Sequence, residues 1–321
     1  MDDADIPHAY SSGGGNGPPA IEALDLRKNF GATKALDGFS LTVAPGEVHG
    51  FLGPNGAGKS TVIRALLGQL RLSGGQCRIY GLHCWKESVA VHKRVAYVPG
   101  DVALWEGLSG GECIDVLMHM QGRGDPEMRD MLVERFALDP SKRTRTYSKG
   151  NRQKVALVAA FSSNADLYLL DEPTSGLDPL MEDAFQATVR EAKERGAAVL
   201  LSSHILAEVE ALCDRVTIIR GGRDVSSGTL EDLRGHATSR LVATTVRKPT
   251  GIRELAGVDD YTFEVQADGH RISFRIAPAC LNGALERLTA AGVAGLTVVP
   301  PSLDELFLSV YEVPADTEYA G

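Results

Sequence analysis

Residues Gly53-Pro54-Asn55-Gly56-Ala57-Gly58-Lys59-Ser60 fit the pattern GxxxxGK[ST] at every fixed position. The chemistry this spacing serves is the holding of phosphate. Gly56 and Gly58 allow backbone conformations that a side chain forbids, so successive N–H groups can converge on phosphate oxygens. A helix starting at Lys59 aims its partly positive end at the same anion. Lys59 adds a full charge for β- and γ-phosphates, the Ser60 hydroxyl is placed to ligate Mg²⁺, and Thr61 extends the wrap. The pattern implies a nucleoside triphosphate, ATP or GTP, without naming the reaction. Further along, Leu167-Tyr168-Leu169-Leu170-Asp171-Glu172 sets two carboxylates at the end of an apolar run. In an open parallel sheet, ligands sit beyond such strand ends. Asp171 can then enter the metal shell, directly or through water, and Glu172 can polarise an attacking water. Alone, an Asp-Glu pair is commonly a solvated turn. Beside a phosphate loop it reads as hydrolytic.

These groups need a rigid frame. The phosphate loop follows the apolar run Val48–Leu52, and Val95–Val98, Leu167–Leu170, Ala198–Leu201 and Val216–Ile219 are apolar almost throughout. Helical patterns over Lys59–Leu70, Glu112–Met120, Asn151–Phe161, Pro179–Arg195 and Leu206–Cys213 separate them. Continuous apolar strands alternating with helices predict an α/β fold with a parallel sheet covered on both faces. The texture changes near Gly235. A strand at Arg240–Val246, a short helix at Gly251–Ala256, and a hairpin of Tyr261–Gln266 and Arg271–Ile276 around Asp268-Gly269 follow. A helix at Leu281–Ala290 and a strand at Gly295–Val299 complete a βαββαβ order, which predicts a ferredoxin-like unit. The expected organisation is a tail at 1–19, a nucleotide-binding domain at 20–235, a small α+β domain at 236–313 and a tail at 314–321.

Of the 321 residues, 43% are apolar and 23% charged, enough for a buried core, and the formal charge is −9. That acidity argues against a general binder of nucleic acid or anionic lipid. The longest apolar stretches, such as Val155–Phe161, fall far short of a bilayer span, and the first residues lack the layout of a signal peptide. A soluble intracellular protein is expected. Cys77, Cys84, Cys113, Cys213 and Cys280 form no CxxC pair. Cys77 and Cys84 with His83 make at most half a metal site, and small buried residues in a reducing compartment is the better reading.

With Gly53–Thr61 (GPNGAGKST), the segment Leu169–Pro179 (LLDEPTSGLDP) closely resembles the ATP-binding subunits of ABC transporters, and the likeness runs from about Ile21 to Arg234. The resemblance implies a P-loop NTPase core with an antiparallel β subdomain and a helical subdomain. It implies Mg-ATP trapped between two ATPase subunits, here a homodimer, and a separate integral membrane permease that holds the ATPase to the inner face of the plasma membrane. Phe30 resembles the aromatic that stacks on adenine, with a plain core Phe as the alternative. Asp178 resembles the aspartate that links the two sites across the dimer. His204, 32 residues beyond Glu172, resembles the histidine that contacts the γ-phosphate.

The family's diagnostic LSGGQ/E motif has a literal copy at Leu108-Ser109-Gly110-Gly111-Glu112, but Ser109 lies 62 residues before Asp171. Ser109 and Glu112 fit a capping box opening the helix that follows. Tyr147-Ser148-Lys149-Gly150-Asn151-Arg152-Gln153 is the better signature, since Ser148 lies 23 residues before Asp171 and opens a helix. By resemblance, Ser148, Gly150 and Asn151 would hold the γ-phosphate of ATP bound to a partner subunit. Lys149 replaces the usual first Gly, either adding charge near the phosphate or facing solvent. A second departure is Pro99-Gly100-Asp101, where the family has Pro-Gln. Glycine offers no ligand there, so either Asp101 serves the metal through water or the role is lost, with weaker turnover or altered coupling.

The run Pro300-Pro301-Ser302-Leu303-Asp304-Glu305-Leu306-Phe307-Leu308 is similar to the tail of ATPases serving drug and antibiotic exporters of the daunorubicin-resistance type, and equally reads as the apolar face of a terminal helix. The leading expectation is an exporter ATPase. Its rivals are an ABC-type ATPase acting on ribosomes or DNA, disfavoured by single motif copies and no heptad insert, and a regulatory nucleotide-binding module.

Overall fold

The computed structural model describes residues 17–122, 124–203, 205–235, 238–266 and 269–299. Its centre is a six-stranded sheet. The strands β3 (Val48–Leu52), β6 (Val95–Val98), β7 (Leu167–Asp171), β8 (Ala198–Ser203) and β9 (Arg215–Arg220) run parallel, and β10 (Arg223–Thr229) is an antiparallel edge on β9, giving the order β10-β9-β3-β8-β7-β6. The unbroken apolar runs have a simple cause. Alternate residues of β7 and β8 enter two separate cores, Leu167, Leu169, Ala198 and Leu200 on one face and Tyr168, Leu170, Val199 and Leu201 on the other.

One core is shared with an antiparallel sheet of β1 (Ile21–Phe30), β2 (Thr33–Val43), β4 (Gly74–Ile79) and β5 (Leu82–His83), ordered β2-β1-β4-β5, and with α1 (Lys59–Leu66). The expected continuation of α1 to Leu70 ends early, because Gly68 takes a left-handed φ of 64° and a Cβ there would sit 2.3 Å from the Cys84 carbonyl oxygen. The short α2 (Ser88–His92) follows this sheet. The opposite core holds α3 (Gly110–Gln121), α4 (Pro126–Arg135), α5 (Lys149–Phe161), α6 (Pro179–Glu194) and α7 (Leu206–Leu212). From Gln153 to Phe161, α5 is buried at every position, and Phe161 stacks on Tyr168 with centroids 4.7 Å apart. Val155, Leu157, Val158 and Phe161 each contribute about 1.5–3 kcal/mol by leaving water. α8 (Leu230–Gly235) adds Leu230 and Leu233 to this core.

The last described elements are β11 (Ser239–Thr245), β12 (Val258–Gln266), β13 (Gly269–Ile276), α9 (Leu281–Ala290) and β14 (Val293–Val299). All neighbouring pairs are antiparallel and the order is β12-β13-β11-β14, the strand order of a ferredoxin-like unit. Its own core includes Leu241, Ile272, Phe274, Ala284 and Leu288. The helix expected at Gly251–Ala256 is absent. Gly251 and Gly257 both take positive φ, and the residues between them are too few to nucleate a helix, so the crossover is a run of turns with Ile252 buried. The hairpin turn at 267–268, the tail at 1–16 and the run at 300–308 lie outside the described residues.

All five cysteines are free, four of them buried, and among the described residues no group of three metal-binding side chains assembles. No described helix is long and apolar enough to cross a membrane.

Candidate functional site

β3 delivers the chain to residues 53–58, and α1 leaves from Gly58. Gly58 has φ 115°, and a Cβ there would lie 2.8 Å from the Ala35 carbonyl oxygen, so only glycine fits this approach. No side chain caps α1, which leaves its first-turn N–H groups facing an anion site. The Lys59 ammonium is buried and donates to the carbonyls of Gly53 and, at 3.2 Å, Pro54. Burial lowers its pKa from the usual lysine value, and the charges of Glu172 and Asp171 work against that fall. Ala57 is buried and ties its N–H to the Pro54 carbonyl at 3.1 Å, closing the loop.

The carboxylates arrive from β7. Ser60 Oγ donates to Asp171 Oδ2 at 3.3 Å, joining the phosphate-loop helix to the strand end. Burial raises the Asp171 pKa and the Glu172 charge adds to the rise, while the nearby hydroxyls of Ser202 and Ser60 hold it back. Glu172 has φ 49°, a left-handed backbone costing a non-glycine residue about 1–2 kcal/mol. Its N–H donates to the Ser202 carbonyl at 2.8 Å, so β8 holds the residue in that conformation.

Residues 54–56 and 58–61 of the loop and both carboxylates line one cleft of about 580 Å³. Asp101 lines it too. At Gly100 a Cβ would stand 3.1 Å from the Asp171 carbonyl oxygen, so the chain that replaces the family's Gln lies hard against the carboxylate strand. Sequence reasoning missed three lining residues, Ala35, Arg64 and Tyr97. Two of them were within reach of it: Arg64 is one helical turn beyond Ser60, and Tyr97 shares a strand face with Pro99. Burial, then the Asp171 charge, pushes the Tyr97 phenol up to about 12.

Other expected site residues stand outside that cleft. Phe30 ends β1 with its ring half exposed, and Lys28 Nζ lies 5.0 Å from the ring centroid. The alternative of a plain core Phe is therefore corrected: the strand end lifts the ring out of the core. Ser148 caps α5, accepting from the Asn151 N–H at 3.3 Å, and Gly150 is buried against Gly176. Asp178 caps α6 through the Met181 N–H at 3.1 Å. His204 lies outside the described residues.

The literal LSGGE is a capping box in both directions, with the Ser109 N–H on Glu112 Oε2 at 2.6 Å and the Glu112 N–H on Ser109 Oγ at 3.2 Å. Its glycines make room for neighbours, since a Cβ at Gly110 would fall 2.2 Å from the Tyr147 hydroxyl. Packing accounts for this motif without a ligand.

A family described as ABC transporter matches residues 36–175. The daunorubicin resistance ATP-binding protein DrrA3 of Streptomyces coeruleorubidus is 33% identical, over 90% of this chain and 95% of that protein. The daunorubicin/doxorubicin resistance ATP-binding protein DrrA of Streptomyces peucetius is 34% identical, over 92% of this chain and 94% of its own length. A solved ATP-binding subunit of an ABC transporter superposes with a TM-score of 0.64 at 34% identity, over 67% of this chain and 92% of that one. Similarity that runs through the whole length of these relatives, on a fold and a phosphate cleft of this geometry, shows that the chain belongs to the ABC transporter family, among its ATP-binding subunits.

Proposed function

We propose that two copies of this chain bind and hydrolyse Mg-ATP head to tail, driving export of a drug- or antibiotic-like molecule through a separate membrane-spanning permease. The observation that carries the reading is the division of the site. The phosphate loop, Asp171 and Glu172 converge on one cleft, while the Ser148 helix start stands outside it and suits a nucleotide bound elsewhere. The similarity to daunorubicin-resistance proteins supports the exporter class.

In this reading residues 53–61 wrap the phosphates, Lys59 carries the charge, and Phe30 stacks on adenine. Ser60 and Asp171 offer adjacent hard oxygen donors, which suits Mg²⁺, and Asp101 adds a third carboxylate through water. The metal would neutralise charge on the β- and γ-phosphate oxygens. Glu172 orients the attacking water and takes its proton, and His204 contacts the γ-phosphate. Ser148, Gly150 and Asn151 serve the partner's nucleotide, with Asp178 between the sites. Residues 20–235 form the ATPase and 236–313 an accessory domain that regulates or steadies the dimer. The ATPase sits on the cytoplasmic face of the plasma membrane through its permease.

The test is transport. Co-expression with a candidate membrane-spanning permease is expected to lower cellular accumulation of a fluorescent anthracycline, and the Glu172→Gln protein to leave it high. Equal accumulation with and without the active ATPase, for this and other antibiotic classes, would remove the exporter assignment. A second test separates the two signatures. Ser109→Ala is expected to cost about 1 kcal/mol of stability by losing a cap and to keep the ATPase rate of the folded protein. Ser148→Ala loses a similar cap and also the γ-phosphate contact, so its rate falls. Melting curves beside steady-state phosphate release read both effects, and equal rates in the two variants would cancel the role given to Ser148.

A further inference from the structure

Lys149, which stands where the family resemblance leads one to expect glycine, is exposed yet has a defined partner. From the first position of α5 its Nζ donates to Ser175 Oγ at 2.6 Å. Beneath it two backbones touch. A Cβ on Gly150 would fall 2.3 Å from the Gly176 carbonyl oxygen, and one on Gly176 would meet the Gly150 nitrogen at 3.4 Å and Lys149 Cγ at 3.5 Å. The lysine stem therefore lies over Gly176 and its ammonium closes on the next residue back. Ser175 belongs to a tight turn, with its N–H on the Glu172 carbonyl at 3.1 Å and the Leu177 N–H on the Thr174 carbonyl at 2.9 Å. One end of that turn is Glu172, held at positive φ, and the other is Asp178, the cap of α6.

We infer that Lys149 is a positioning residue that ties the helix start serving one nucleotide to the Glu172 turn serving the other. The inference rests on the head-to-tail reading above. There, Ser148 reports on ATP held by the partner, while Glu172 acts on ATP in its own cleft. A chain with glycine at 149 keeps the Gly150–Gly176 backbone contact and lacks the side-chain tie. With lysine, a displacement of Ser148 on meeting a phosphate is carried through a residue next to it and a turn of four residues to the general base. Lys149 touches no reacting atom, so its effect is on how often Glu172 is in place once both nucleotides are bound.

The experiment is a double-mutant cycle on the full chain, with Lys149→Met, Ser175→Ala, the pair together, and Lys149→Arg. Each is assayed for ATP hydrolysis across ATP concentration and for binding of a fluorescent ATP analogue by separate chains. Lys149→Met and Ser175→Ala are each expected to lower kcat by about 3- to 30-fold and to reduce the sigmoidicity of the ATP dependence, with analogue binding unchanged. The double variant should be no slower than the worse single one, and Lys149→Arg should restore part of the rate. Single effects that multiply in the double variant, or Lys149→Met with wild-type kcat and sigmoidicity, overturn the tie. ATP-driven dimerisation of the Glu172→Gln chain, read by light scattering, separates the two levels. No dimer overturns the head-to-tail reading and the tie with it, whereas a dimer with multiplying single effects overturns the tie alone.

Discussion

Glu172→Gln is expected to slow ATP hydrolysis by ~10²–10⁴-fold while nucleotide binding persists. The substitution keeps the volume and the backbone hydrogen bond of residue 172 to Ser202, so the left-handed turn has no new reason to relax. What disappears is a carboxylate at the end of β7, beside the phosphate loop, that can accept a proton from water. Binding should survive for an electrostatic reason. Glu172 is one of two carboxylates near the buried Lys59 ammonium, and its removal lessens the negative charge that incoming phosphates meet. It also removes a like charge that raises the Asp171 pKa, leaving Asp171 more readily ionised for the metal. Phosphate release and fluorescent-nucleotide titration measure the two sides. A variant that turns over at the wild-type rate would take Glu172 out of the mechanism.

The parts of this molecule legible in the sequence are those where one physical requirement acts alone. A strand buried on both faces must be apolar almost throughout, and β3, β7 and β8 are, their polar residues being His49 and the strand-end Asp171, Ser202 and Ser203. The phosphate loop needs its glycines in fixed places, so the motif and its flanking strand and helix were readable together. The antiparallel sheet was implied by the family resemblance and not by periodicity, because β1 carries register shifts between Ala23 and Leu26 with Asp25 at φ 49°, which break the in–out alternation. Helix α4 was missed although Asp125 caps it and Pro126 occupies its first turn, a recognised start signal. Its interior offered little apolar periodicity, Leu132 being its one buried side chain. At the site, the capping box expected at Ser109 and Glu112 is present, and the Tyr147 hydroxyl packed at Gly110 supplies a packing reason for the glycine there. The Lys149–Ser175 contact depends on which surfaces meet in space, and a pattern along one chain does not carry that information.

Lys59→Met should weaken the nucleotide binding that Glu172→Gln preserves. The ammonium sits among the Gly53 and Pro54 carbonyls with Asp171 and Glu172 close enough to act on it, so it is the positive centre of a cleft otherwise rich in acceptors. Removing it takes away a charge-assisted contact to the phosphates, worth about 1.5–3 kcal/mol and so about 10- to 150-fold in affinity. It also leaves Arg64 as the remaining cation among the described residues lining the cleft, beside Asp101, Asp171 and Glu172. Folding responds in the opposite sense. The Lys59 pKa is lowered in the folded chain, so below that value the charged lysine costs stability that methionine of similar volume does not. Against that gain stand two carbonyls that lose their donor. The melting temperature without nucleotide should therefore move by only a few degrees. At one Mg-ATP concentration, the wild type and Glu172→Gln should melt clearly higher and Lys59→Met much less so, because binding to the folded state raises a melting temperature in proportion to the logarithm of [L]/Kd. Nucleotide stabilisation retained in full in Lys59→Met would mean that the loop N–H groups suffice to hold the phosphates, and the lysine would then be left to the transition state alone.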